Sequence, residues 1–310
     1  MSSATATPTP TATPTAKDRR SFSPGRVVAW AFLVLFILLT LFPFYWMLRT
    51  ALSNNVALAA NSANLLPADL TLGAFRRVLG LATLEEAQAQ GGSGASLSFW
   101  LYLRNSLVVA VLVTVGQVFF SSMAAYAFAR LRWRGRDVVF AFFLSALLVP
   151  PIFVALPNFL TIQSFGLLNT LPGIALPTML MTPFAVYFMR QFFLGIPREL
   201  DEAAKIDGAS HLRIFWRVIM PMSIAPITTL SLLQFIAAWN DYLWPLLVGQ
   251  TEGSRVLTVA LGVFRSQTPQ GSPDWAGLMA ATLIAAIPIL VLYLLLARRI
   301  VNSIGFTGIK

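Results

Sequence analysis

The segment Val138–Met189, VVFAFFLSALLVPPIFVALPNFLTIQSFGLLNTLPGIALPTMLMTPFAVYFM, runs for 52 residues without an Asp, Glu, Lys or Arg. A helix of about 20 residues crosses the ~30 Å hydrocarbon core of a bilayer, so this stretch is too long for one span. Its middle, Gln163-Ser-Phe-Gly-Leu-Leu-Asn-Thr-Leu-Pro-Gly173, is crowded with turn formers. Two helices joined by a short loop are expected. Four more uncharged runs lie outside it: Val27–Leu48 with 22 residues, Asn105–Ala129 with 25, Val218–Asn240 with 23 and Trp275–Ala297 with 23. Each is long enough to cross a membrane as a helix. The expected fold is all-α, a polytopic membrane protein with six transmembrane helices.

Composition agrees. Of 310 residues, 57% are hydrophobic and 11% charged, with mean hydropathy +0.73; soluble domains carry about 25% charged residues. So much apolar surface must face the lipid bilayer or other membrane-buried helices. The net charge of +10 and pI near 10.8 would point to nucleic acid in a soluble chain. Here the basic residues cluster between apolar runs, where topology explains them and no nucleic acid partner is expected. Six spans put both termini on one side. With that side cytoplasmic, sixteen Lys and Arg fall inside and six outside, as the positive-inside rule requires.

Residues 1–26 form a Thr/Pro-rich tract that cannot build a core and reads as a disordered cytoplasmic tail, leaving 27–310 as the membrane domain. The apolar run after it is span-length, unlike a signal peptide. Pro150, Pro151 and Pro157 in the third span, and Pro172, Pro177 and Pro183 around the fourth, are expected to kink helices that neighbours in a bundle can repair. The first outer connection, about 49–104, contains Leu72–Leu79, suited to a short amphipathic helix, and a flexible-looking segment at 88–96. The last, about 249–275, reads as a Gly/Ser/Pro-rich loop.

Several chemistries are excluded. There is no Cys and one histidine, His211, so no thiolate nucleophile and no His or Cys metal cluster can form; no metal and no cofactor are expected. His211 sits in a basic loop and reads as solvated. No Gly-x-x-x-x-Gly-Lys-Ser/Thr loop is present, so the chain is not expected to hydrolyse ATP or to act as an enzyme at all.

The loop after the fourth span is the informative one. Pro197 suits a helix start, Glu199, Asp201 and Glu202 favour the positive end of a helix, and Asp201 and Lys205 stand at i,i+4. Leu200, Ala203, Ala204 and Ile206 make a narrow apolar stripe. Gly208 can end the helix and Ser210 can cap a second one. Two readings remain open: a helix that docks in a partner's groove, or an ordinary interfacial helix. Asp241, beside Asn240 at the outer end of the fifth span, reads as the one acid associated with a span; it is either part of a translocation path or a carboxylate reaching water. Gln117 and Gln234 could contact a polar solute or simply hydrogen-bond between helices.

Glu202-Ala-Ala-Lys-Ile-Asp-Gly208, followed by nine residues and Val218-Ile-Met-Pro221, resembles the EAA loop of binding-protein-dependent ABC importer permeases. The family carries Ile and Leu where this chain has Val218 and Met220. Phe42–Met47, Ala125-Tyr-Ala-Phe-Ala-Arg130, Arg134-Gly-Arg136 and Trp239–Pro245 also resemble the MalG-like carbohydrate permeases, and the resemblance runs from about residue 27 to the C-terminus. It implies the ABC type I importer permease fold, in a bacterial inner or plasma membrane, with both termini cytoplasmic and a coupling loop at about 193–222. Glu202, Ala203, Ala204, Asp207 and Gly208 would couple to a dimer of cytoplasmic ATP-binding subunits. A second, MalF-like permease would complete a heterodimeric pore for a sugar or oligosaccharide, which an external solute-binding protein delivers. Asn240, Asp241, Gln117 and Gln234 are the candidate translocation-path residues. The alternative function is an ion-coupled secondary transporter acting without an ATPase, though that class often places several ionisable groups or inverted repeats at mid-membrane.

Overall fold

The computed structural model describes residues 24–60, 63–92, 97–266 and 273–304; residues 1–23 of the expected tail lie outside them. Among the described residues the regular structure is helical, with one isolated β-bridge between Ser53 and Leu70. Three helices are long and apolar enough to cross a membrane unbroken: Gly25–Ala51, Phe99–Arg130 and Trp275–Ala297. Three bent pairs bring the number to six if each pair is one span: Arg136–Leu148 with Pro151–Ser164, Leu171–Met179 with Pro183–Leu194, and His211–Met222 with Ile224–Asn240.

The bends exceed the expected kinks. The third span turns by 101° at Val149-Pro150, where both residues are extended and Pro151 starts the next helix. A residue before proline is pushed out of the α region, so two successive prolines force two successive extended residues and the helix stops. Pro157, by contrast, is carried inside Pro151–Ser164 without ending it. The fourth span bends by 47°. Here Pro172 and Pro183 stand in the first turns of their helices, and Thr170 and Thr182 cap them by accepting from Gly173 and Ala185. The fifth, expected as one span over Val218–Asn240, turns by 80° at Ser223 and is preceded by a five-residue π-helical segment, Phe215–Ile219. An uncharged run records burial in lipid and nothing of direction, which is why it missed this corner.

The second span, Phe99–Arg130, is the hub, packing on both halves of the fourth, on Ile224–Asn240 and on Leu257–Ser266. It can do so because its inward face is small: Ala110, Ser121, Ser122, Ala125 and Ala129 are fully buried or nearly so. At Gly116 any Cβ would collide with the backbone oxygen of Met179. Without a hydrophobic driving force inside a bilayer, close backbone approach and interhelical hydrogen bonds hold such helices together. The sixth span packs on Ile224–Asn240 and on the short helix Gly73–Val78, which forms where Leu72–Leu79 predicted it.

The connections hold more helix than their composition predicted. Leu84–Ala89 is helical through a capping box of Thr83 and Glu86, so Gln88 and Ala89 of the supposedly flexible segment are ordered; Thr83-x-x-Glu86 is the sequence signature of that motif. The last connection contains Leu257–Ser266. Asp274 at the start of the sixth span is buried against Arg77, Nη2 to Oδ1 2.9 Å, and accepts from the Gly277 N–H at 2.8 Å. Asp241 is therefore not the only acid at a span end. Asp274 escaped notice because its cation lies 197 residues away.

Candidate functional site

Two places gather the residues singled out from sequence. The first is the helix Glu199–Ile206, with Glu199, Asp201 and Glu202 in its first turn and Lys205 in its last. It ends in a Schellman motif: Gly208 sits at φ +75°, its N–H donates to Lys205 O at 2.9 Å, and the Ala209 N–H donates to Ala204 O at 2.9 Å. Ser210 then caps His211–Ile214, accepting from the Arg213 N–H. Pro197 lies two positions before the first helical residue rather than at it.

The expected Asp201–Lys205 pair is not formed. Asp201 turns inward instead, with Oδ2 3.3 Å from Arg130 Nη1, and the two side chains are only 13% and 3% exposed. Arg130 Nη2 also donates to the backbone oxygens of Phe193 and Ile196. One guanidinium thus joins the end of the second span, the end of the fourth and the first turn of the short helix. The sequence places Arg130 among the inner basic residues and at the end of the Ala125–Arg130 motif but does not pair it with Asp201, because a contact across 71 positions leaves no periodic trace. Ala204 faces the same way and packs on the cluster of Phe193, Ile214 and Phe215. Glu202, Ala203, Asp207 and Gly208 remain exposed, beside Leu200 and an Ile206 that is 87% exposed. An exposed isoleucine among acidic and small residues makes a surface with both apolar and charged handles for a partner.

The second place is a cavity of about 230 Å³ between the second, fourth and fifth spans. Gln117, Thr178, Gln234 and Asp241 line it, among apolar groups such as Val109 and Val113. Three of the four candidate path residues therefore meet. Asn240 does not join them: its amide donates back to Ile236 O at 2.8 Å on an exposed surface. Gln117 does tie helices together, since its Nε2 donates to Thr178 O, but its buried Oε1 has no partner. A pocket with an unused amide oxygen, a second amide and a carboxylate offers acceptors and donors to a polar, hydroxyl-bearing guest.

Apolar helices long enough to span a membrane, a capped amphipathic helix held against the end of the second span and a polar cavity between the second, fourth and fifth spans are the features of a membrane transport permease. Comparison with known proteins makes this specific. The chain belongs to the family of binding-protein-dependent transport system inner membrane components, whose model matches residues 117–305. It is a permease component of an ABC importer. It is 32% identical over 278 residues to the trehalose/maltose transport system permease protein MalG of Thermococcus litoralis, covering 89% of this chain and 94% of that one. It is 30% identical to the inner membrane ABC transporter permease protein YcjP of Escherichia coli, over 95% and 99% of the two chains, and 35% identical to the sn-glycerol-3-phosphate permease UgpE of Yersinia pestis, over 69% and 75%. Its fold superposes with TM-score 0.74 and 24% identity on a chain from the crystal structure of a bacterial ABC transporter that imports the acidic polysaccharide alginate, covering 90% of this chain and 98% of that one. These relatives lend no support to the ion-coupled alternative.

Proposed function

We propose that this chain is one of two membrane-spanning subunits of an importer that moves a sugar or oligosaccharide inward, driven by ATP hydrolysis on separate cytoplasmic subunits. An external solute-binding protein delivers the solute, and a MalF-like permease supplies the other half of the pore. The substrate class follows the relatives named for trehalose, maltose and glycerol phosphate. The observation carrying the coupling role is the exposed face of Glu202, Ala203, Asp207 and Gly208 on a helix anchored through Arg130. Movement of an ATPase subunit seated there would pass through that guanidinium to the second and fourth spans at once. ATP-dependent uptake of maltose or trehalose into vesicles, unaffected by an ionophore, tests the reading; uptake that collapses with the ion gradient overturns it.

In this arrangement the Arg130 end and both termini face the cytoplasm. The chain has no cysteine, so single Arg134→Cys and Glu252→Cys variants, both at exposed positions, report the topology. In intact cells position 252 should react with a membrane-impermeant maleimide and position 134 should not. Labelling at 134 from outside would reverse the orientation.

The cavity holding Gln117, Gln234 and Asp241 is the proposed translocation path. A hydrogen bond to a charged group is worth about 1.5–3 kcal/mol, so Asp241→Asn should lower uptake about tenfold or more while the complex still assembles. Unchanged rate and apparent affinity would reduce Asp241 to an interfacial carboxylate.

A further inference from the structure

The turn from the second span to the third, Arg130-Leu-Arg-Trp-Arg-Gly-Arg136, places four guanidinium groups within seven residues. Gly135, at φ +81°, reverses the chain, and a concave cavity of about 510 Å³ opens beside it. Its walls are Arg132, Trp133, Arg136, Asp137, Val138 and, from before the coupling helix, Arg198. The charges there are unequally matched. Asp137 is already shared by Arg136, Nε to Oδ1 3.1 Å, and Arg190 at 3.6 Å. Arg132 and Arg198 are exposed, and their guanidinium groups make no hydrogen bond or ion pair among the described residues. The site therefore presents two unsatisfied cations beside a neutralised acid.

Its other wall is apolar. Val138, which lines the cavity, is 74% exposed, and Phe142 one turn further along the helix is 80% exposed. Both lie on Arg136–Leu148, half of a helix pair long and apolar enough to cross a membrane. Trp133, at the rim, is of the type that settles at the level of lipid headgroups. A molecule filling this site must offer a negative charge to Arg132 and Arg198 and a long apolar tail to Val138 and Phe142.

We propose that the cavity binds the phosphate headgroup of an anionic phospholipid from the cytoplasmic leaflet, its acyl chains lying along the third span. Basic pockets between transmembrane helices at that face are suited to such headgroups. Arg198 immediately precedes Glu199, the first residue of the coupling helix, and a neighbouring concavity shares Arg132, Trp133 and Arg198 while adding Glu202 and Lys205. Headgroup charge at this place would bear on the position of the coupling helix, linking transport to membrane composition. The inference rests on the cytoplasmic placement proposed above, which the cysteine pair tests separately.

The test is native mass spectrometry of the full chain in detergent, titrated with phosphatidylglycerol and with phosphatidylcholine, for the wild type and Arg132→Gln/Arg198→Gln. The wild type should hold one phosphatidylglycerol about tenfold or more tightly than phosphatidylcholine, and the double variant should lose that preference. Arg76→Gln, at a remote exposed position, should keep it. Equal retention of the two lipids by the wild type, or an undiminished preference in the double variant, overturns the proposal. Displacement of phosphatidylglycerol by millimolar inorganic phosphate also overturns it, since the site would then belong to a free anion. If the double variant is not recovered folded, the wild type still decides. Its preference must fall steeply toward 1 M salt, where exposed charges are screened within about 3 Å, and a salt-independent preference refutes guanidinium recognition.

Discussion

Arg130→Met should abolish uptake while leaving the permease in the membrane at near-normal level. The substitution keeps an unbranched side chain at the end of the second span but removes the cation paired with Asp201, whose Oδ1 already lacks a partner. Removing one partner of a buried pair typically costs about 3–5 kcal/mol, because the remaining charge stays buried and uncompensated. The carbonyls of Phe193 and Ile196 lose the guanidinium donor in the same step. The cost falls on the seating of Glu199–Ile206, so the helix should detach or tilt while the spans, held by their own small-residue contacts, persist. Adding Asp201→Asn to Arg130→Met should recover part of the loss, since no buried charge then remains. A double-mutant cycle on ATPase co-purification and on maltose uptake measures the coupling. Strict additivity of the two substitutions would mean that the 3.3 Å pair contributes nothing.

Glu202→Lys and Gly208→Val should separate ATP hydrolysis from transport. Glu202 is exposed on the face proposed to meet the ATPase, and charge inversion in a partly buried interface costs a few kcal/mol, each 1.4 kcal/mol being about tenfold in affinity. Gly208 acts differently. Its surroundings are open, with nothing within 4 Å of an added Cβ, but its φ is +75°. A β-branched residue there is strained by the backbone rather than by any neighbour, at a cost of about 1–2 kcal/mol. The end of the helix would be misdirected and Asp207 with it. Both variants should insert normally, as neither touches a span. Both should either lose the ATPase on purification or retain it with hydrolysis that no longer responds to solute. Normal co-purification and normal solute-stimulated hydrolysis in both would remove the coupling helix from Glu199–Ile206.

These two experiments divide along what could be read from the chain alone. Charge-free runs of more than 20 residues suit a bilayer and not a soluble core, so the membrane character of the chain was written into the sequence by solvation. So was the helix Glu199–Ile206 with its stop at Gly208 and the cap at Ser210, since capping acts within four or five residues and leaves a local signature. That Gln117, Gln234 and Asp241 share one cavity while Asn240 does not depended on helix rotation and crossing, which periodic polarity in lipid barely encodes. The 101° corner at Val149-Pro150 is a local effect, since Pro150 and Pro151 hold two successive residues extended, whereas the 80° corner at Ser223 falls within a single charge-free run that carries no information on direction. Asp201 met Arg130 rather than Lys205, and Asp274 met Arg77, because a buried charge takes whichever partner the fold brings within reach once water is gone. Local rules determined the apolar spans and the capped helix Glu199–Ile206; only the tertiary structure decided which of their charges would be buried together.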